Sequence, residues 1–349
     1  MTTFSAGSRF LLMAAAFVIL VAGMKAAQPI LVPFLLSVFI AIISAPSMFY
    51  LQRRGLPTAI ALLLVLAAVI SILFLVAILV GNSIEDFRQS LPLYQSRLQD
   101  QLGALISLFA KVGINLSLGE VQAYFDPGVV MRMVANTLNG LGSVLTNGFL
   151  ILLTVAFILA EASSFPAKLH RVLDRPEHSL PGFDHFLQTV KQYMAIKTWV
   201  SLATGAIVWL GLWLLGVDYP FLWGVMAFFL NYVPNIGSII AAIPAVLLAL
   251  IQLGWGHALA VALLYLAINI VMGNVVEPRY MGKGLGLSTL VVFLSLIFWG
   301  WVLGPVGMLL SIPLTMTVKI AMDNNEETRW IAILLDSENQ AAVEDNRNA

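Results

Sequence analysis

Two apolar stretches of about 35 residues, 219–253 and 286–320, constrain this chain more than any other feature, because proline and glycine interrupt each near its middle. A straight helix of that length would measure roughly 52 Å against a bilayer hydrocarbon core of ~30 Å. The first stretch breaks at "PNIG", residues 234–237, and the second at "GPVG", residues 304–307. The arms, roughly a dozen to seventeen residues, are mostly too short to cross comfortably, so each stretch reads as a re-entrant hairpin. Lipid tolerates an interrupted backbone only where protein or a water-filled cavity satisfies the freed N–H and C=O groups. The same groups suit a polar solute or an ion, which makes the breaks the expected site.

The rest of the composition agrees with a membrane. Of 349 residues, 60% are hydrophobic and 10% charged, where a soluble domain carries about 25% charged. So much apolar surface does not fit inside a water-soluble core, and the expected class is all-α: a polytopic helical membrane protein. Formal net charge is zero, so there is no basic field for nucleic acid. The absence of cysteine excludes disulfides, thiolate metal sites and cysteine nucleophiles. His170, His178, His185 and His257 fit no H-E-x-x-H zinc pattern, and no G-x-S-x-G elbow occurs. "GKGLG" at 282–286 lacks the order of a phosphate-binding loop and any strand before it. No catalytic residue, metal or cofactor is expected, and any transport is facilitated or ion-coupled.

Along the chain, 1–80 holds three spans. The first, 10–24 after Arg9, loosely resembles a signal peptide, but the run 30–51 follows at once and no polar cleavage region intervenes, so it reads as an uncleaved span. The third, 57–80, has no charge. Residues 81–137 are polar, with Phe87, Leu91, Tyr94, Leu98, Leu102, Leu105 and Phe109 recurring at spacings of three and four, the mark of an amphipathic helix. Ser117 and Glu120 form a capping box for a second helix, and "DPG" at 126–128 interrupts it. The segment reads as a small helical extramembrane insert covering neighbouring spans or subunits. A fourth span lies within 138–160, a polar segment at 161–197, a transport unit at 198–321 and a polar tail at 322–349.

"FFLNYVPNIGSIIAAIP" and "IFWGWVLGPVGMLLSIP" share an aromatic cluster, a proline–glycine break, an aliphatic run and Ile-Pro, with Pro244 and Pro313 in like places. Two hairpins, 219–253 and 286–320, flank one ordinary span, 257–276. One span plus one hairpin makes an odd number of crossings, so a second copy is inverted, as in transporter repeats. Tight turns between ordinary short spans are the competing reading. Treating both stretches as hairpins places 13 of the 18 Lys and Arg on one side; single spans would give 11 against 7. The positive-inside rule then favours hairpins, cytoplasmic N- and C-termini, a cytoplasmic 161–197 segment and an extracytoplasmic insert.

The candidate site residues gather at and between the breaks. Asn231, Tyr232, Pro234, Asn235 and Gly237 belong to the first break, and Gly304, Pro305 and Gly307 to the second. If the repeat is inverted, both tips approach the midplane and form one site, with Asn235 as a solute contact and glycine admitting a close approach. Asn269 and Asn274 lie on the intervening span, five residues apart and so not well aligned on one face; each is also a candidate packing hydrogen bond. Glu277 is the only acidic residue between Asp218 and Asp323, and Arg279 sits two positions on. An ionisable residue there is a functional candidate, with a juxtamembrane Glu277–Arg279 ion pair as the alternative.

"LNYVPNIGSIIAAIPAVLLAL" and "VEPRYMGKGLGLSTLVVFLSLIFWGWVLGPVGMLLSIPL" resemble the autoinducer-2 exporter family of bacterial inner-membrane transporters. The resemblance covers nearly the whole chain, specific in the C-terminal third and diffuse in the N-terminal half. It implies a multi-pass transporter of the cell inner membrane, homo-oligomeric with a pentamer as one form, that exports a small polar solute such as the quorum-sensing signal autoinducer-2. Other members resemble sodium or lithium/proton antiporters, so the fold does not name the cargo. Exporter is the first reading. A cation/proton antiporter is the second, with Glu277 as its titratable group. A non-transporting membrane scaffold, suggested by the insert, is the third.

Overall fold

The computed structural model describes residues 6–111, 148–162, 168, 176–234, 236–281, 287–323 and 328–336. Every regular element among them is helical: α1 (Ala6–Ala26), α2 (Gln28–Arg53), α3 (Thr58–Lys111), α4 (Gly148–Ala162), α5 (Pro176–Leu214), α6 (Pro220–Leu230), α7 (Ile236–Leu253), α8 (Trp255–Asn269), a π-helix (Ile270–Val276), α9 (Glu277–Met281), α10 (Thr289–Leu309), α11 (Ser311–Asp323) and α12 (Arg329–Leu334). Six helices among the described residues are long and apolar enough to cross a membrane by length and composition. A helix closes its own backbone hydrogen bonds, which is what an apolar solvent demands of a single segment.

The chain divides into two compact units. The first comprises Met1–Leu62, Leu150–Met194 and Lys283–Ala349, the second Leu63–Phe149 and Ala195–Gly282. In the first, Val21 of α1 packs on Trp299, Val302 and Leu303 of α10. Ser37, fully buried in α2, lies 3.1 Å from the Ile151 carbonyl of α4. The second apolar stretch is broken where its proline and glycine stand: Gly304 adopts φ 70°, ψ −153° within α10. A side chain rarely adopts that φ, and a Cβ would also come within 3.2 Å of Gln28 Nε2. Beyond the break, the Trp299 indole N–H donates to Thr315 Oγ1 at 2.9 Å, tying α10 to α11. Lys319 and Asp336, 3.0 Å apart, join α11 to the turn after α12.

In the second unit, α3 runs without interruption from the third span into the polar segment, so the change of character at Gly81 is one of composition and not of conformation. The apolar stripe of that segment begins to bury on the chain's own loop after α5. Phe87 and Tyr94 are buried and Leu91 half-buried against the core around Trp223, with the Phe87 and Trp223 rings edge to face at 6.4 Å. Tyr94 donates to Asp218 Oδ2 at 2.7 Å, Tyr219 to Ser90 Oγ at 3.0 Å, and Trp223 Nε1 to the Asp218 carbonyl at 2.9 Å. The side chains of Leu98, Leu102, Leu105 and Phe109, the Ser117–Glu120 box and the break at 126–128 lie outside the described residues.

The first apolar stretch forms α6 and α7, joined by a turn at 231–235 of which Asn235 is not described. Eleven residues make α6 roughly 16 Å long, about half of a hydrocarbon core. Pro220 opens it at a position where the missing N–H costs nothing.

Candidate solute site

A polar stripe on an otherwise apolar helix builds this site. Lys197, Ser201 and Thr204 of α5 recur at i, i+4 and i+7 and share one face, with Thr198 beside them. Ser201 is fully buried and Lys197 nearly so, so each polar group needs a partner. The interrupted backbone supplies two: the Asn231 amide donates to Ser201 Oγ at 2.9 Å, and the Tyr232 hydroxyl to Thr198 Oγ1 at 2.8 Å. Thr204 donates back to the Val200 carbonyl at 2.9 Å. Glycines set the spacing. A Cβ on Gly205 would stand 2.7 Å from the Gly224 carbonyl, and one on Gly224 2.8 Å from that of Gly205, so α5 and α6 meet backbone to backbone.

Behind this contact lies a cavity of about 10 Å³, lined on its polar side by Thr204, Asn231, Ser238, Tyr265 and Asn269 and closed by apolar residues including Val208 and Met272. That is room for a single water. The Tyr265 hydroxyl is buried there without a hydrogen-bond partner among the described residues. Among the described residues no charged side chain lines the cavity, and no cluster of three metal-ligating side chains occurs. One wall is the π-helix, where the Glu277 N–H bonds the Met272 carbonyl five residues back. Such wide turns occur mostly as short insertions in α-helices and are frequent at functional sites.

A family model described as AI-2E family transporter matches residues 13–327. The chain belongs to the AI-2E transporter family. Two of its relatives come from Escherichia coli (strain K12). The AI-2 transport protein TqsA is 41% identical over 334 residues, covering 96% of this chain and 97% of the relative. The protein named YhhT is 38% identical over 329 residues, covering 94% of each. A chain of Haemophilus influenzae named as a transport protein is 42% identical over 333 residues, 94% of this chain and 96% of its own. This is therefore a multi-pass membrane transporter and not an enzyme.

In this AI-2E transporter, Asn231 and Asn269 line one cavity, while Tyr232 is buried against α5 and Pro234 half-buried in the turn. Gly237 is buried where a Cβ would overlap the Leu230 carbonyl of α6, and Gly307 where one would overlap the Trp299 carbonyl earlier in α10. Both glycines therefore serve a close approach within their own interrupted stretch. Pro305 is exposed, and Gly304, Pro305 and Gly307 belong to the first unit. Asn274 is exposed and outside the cavity lining. Five residues of α-helix would set Asn269 and Asn274 on different faces, whereas the i→i+5 bonding of the π-helix brings them nearer one face, and both are exposed.

The alternative Glu277–Arg279 pair is not the one that forms. Arg279 is exposed, and the Glu277 carboxylate instead binds the Lys197 ammonium at 2.6 Å. A residue 80 positions upstream is invisible to local spacing, whereas Arg279 is held by a short helix that turns it away. The sequence reading also missed Thr204, Ser238 and Tyr265. The i, i+4, i+7 polar spacing on α5 was the available signal for Thr204; nothing local separates Tyr265 from an ordinary core tyrosine.

Proposed function

We propose that this transporter exports a small, polar, uncharged solute across the bacterial inner membrane through the cavity of the second unit, with autoinducer-2 as the first candidate. The observation that carries this reading is that Tyr265, whose buried hydroxyl has no hydrogen-bond partner among the described residues, lines the same cavity as Asn231, Asn269, Thr204 and Ser238. A buried polar atom without a partner costs about 1–3 kcal/mol, a penalty that a bound solute would relieve. The name of the Escherichia coli relative, an AI-2 transport protein, supports the cargo. The present volume admits a single water, so loading requires α5 to separate from the α8–π-helix wall. Pairing of Glu277 with Lys197 weighs against the cation/proton antiporter reading, because the ammonium occupies the carboxylate that the cation would need.

Tyr265→Phe tests the site. Removing an unsatisfied hydroxyl leaves thermal stability unchanged or raises it, while efflux of autoinducer-2 from loaded proteoliposomes should fall about 3- to 10-fold, the worth of one hydrogen bond of about 0.5–1.5 kcal/mol. Unchanged efflux in a stable Tyr265→Phe protein would sink the cavity as the route.

The same reading includes two re-entrant hairpins in an inverted repeat, cytoplasmic termini and a homo-oligomer. The shortness of α6 and the matching glycine contacts at Leu230 and Trp299 support the repeat. Cysteines introduced into this cysteine-free chain report the topology. One near residue 283 should react with an impermeant reagent only from the cytoplasm, and one near Asp100 only from outside. Reaction of both from one side contradicts the hairpins.

A further inference from the structure

We propose that Lys197 is the resident counter-cation of Glu277 and determines ion specificity: its ammonium keeps the carboxylate from serving as a monovalent-cation site. The ammonium stands 2.6 Å from Glu277 Oε1, with the Lys197 side chain 5% exposed and that of Glu277 19%. A carboxylate so placed needs a cation or a proton, and the chain provides the cation covalently. Among the described residues Lys197 is the one cation within ion-pair distance. Of the other titratable side chains described on α5, α9 and the π-helix, Lys191, Arg279 and Tyr280 are exposed, Tyr193 is a phenol, as is Tyr232 on the turn after α6, and the π-helix carries none. Ser201, at i+4 from Lys197 and so on its face of α5, carries a hydroxyl oxygen that accepts from Asn231, the ligand type that a hard cation takes.

The consequence bears on coupling. With the positive charge built into α5, the site next to the cavity is already neutral and has no need of an ion from solution. Without it, Glu277 becomes an acceptor for sodium or lithium, and an uncoupled exporter acquires ion dependence. This rests on the cavity reading for its meaning, but its test reads stability and needs no substrate. Its failure is therefore separate from that of the Tyr265→Phe experiment.

The experiment compares thermal unfolding of the purified full chain in sodium chloride and in choline chloride at equal ionic strength. Lys197→Ala is expected to gain roughly 3–6 °C in sodium over choline, the shift of a ligand that binds the native state alone. The natural protein and Lys197→Arg, which keep the charge, should be indifferent to the cation, and Lys197→Ala/Glu277→Gln should lose the gain. Lys197→Gln, which keeps a donor for the carboxylate, should show the gain as well and guards against a folding failure of the alanine variant. A gain equal in the natural protein, or one surviving in the double variant, overturns the proposal. So does a Lys197→Ala protein, or a Lys197→Gln protein should alanine fail to fold, that melts at the same temperature in both salts, whether or not acid stabilises it.

Discussion

Alanine at Gly237 or at Gly307 is expected to cost this transporter most of its folded yield. At both positions the added Cβ would overlap a main-chain carbonyl, Leu230 at the first break and Trp299 at the second, and it would crowd Val233 Cβ at 3.0 Å and Leu303 Cβ at 2.7 Å respectively. A side chain in the way swings to another rotamer, but a carbonyl is fixed by its own helix. The turn must therefore open, and the cost lies at or above the ~1–3 kcal/mol usual for overpacking. Gly81→Ala is the control. That glycine lies inside α3 with nothing within 4 Å of its added Cβ, and alanine there should stabilise by about 0.5–1 kcal/mol through helix propensity. Fluorescence-detected size exclusion after a heat step orders the three variants. A Gly307→Ala protein as stable as Gly81→Ala would show that the second hairpin does not depend on its close turn.

Glu277→Gln is expected to be the most damaging conservative change at the ion pair. It strands the Lys197 ammonium at 5% exposure, and breaking a buried pair from one side costs about 3–5 kcal/mol because the remaining charge has no solvent. The glutamine carbonyl still accepts a hydrogen bond, which sets the loss toward the lower figure. Arg279→Gln, at an exposed position, should stay within about 0.5 kcal/mol of the natural protein. Adding Lys197→Met to Glu277→Gln should recover most of the loss, since the two residues then fail as a unit. Equal melting of Glu277→Gln and Arg279→Gln would overturn the assigned pairing.

The contrast between those two residues marks where local reading stops. Proline and glycine act on the backbone close to their own positions, so an interruption near Pro234 and one at Gly304 were legible in the sequence, as was the helical, membrane-spanning class, which follows from how many apolar residues must leave water. The need of Glu277 for a partner was legible too. Its choice of Lys197 over Arg279 was not, because that depends on how α5 packs against α9, and spacing along the chain carries no trace of it. The continuity of α3 through Gly81 escaped for a related reason. Composition reports the solvent that a segment meets, and a helix passes from lipid to water without changing its hydrogen bonds.

The sequence alone thus determined which segments leave water, where their helices break and which residues need partners, since those properties reside in single residues and near neighbours. Tertiary structure alone decided the partners. The Gly205–Gly224 contact brings α5 against α6, so that Ser201 and Thr198 meet Asn231 and Tyr232, and the π-turn shapes the wall that holds Asn269. Tyr265 became a candidate only because packing left its hydroxyl buried with no partner among the described residues, and whether a buried group is satisfied depends on every helix that surrounds it.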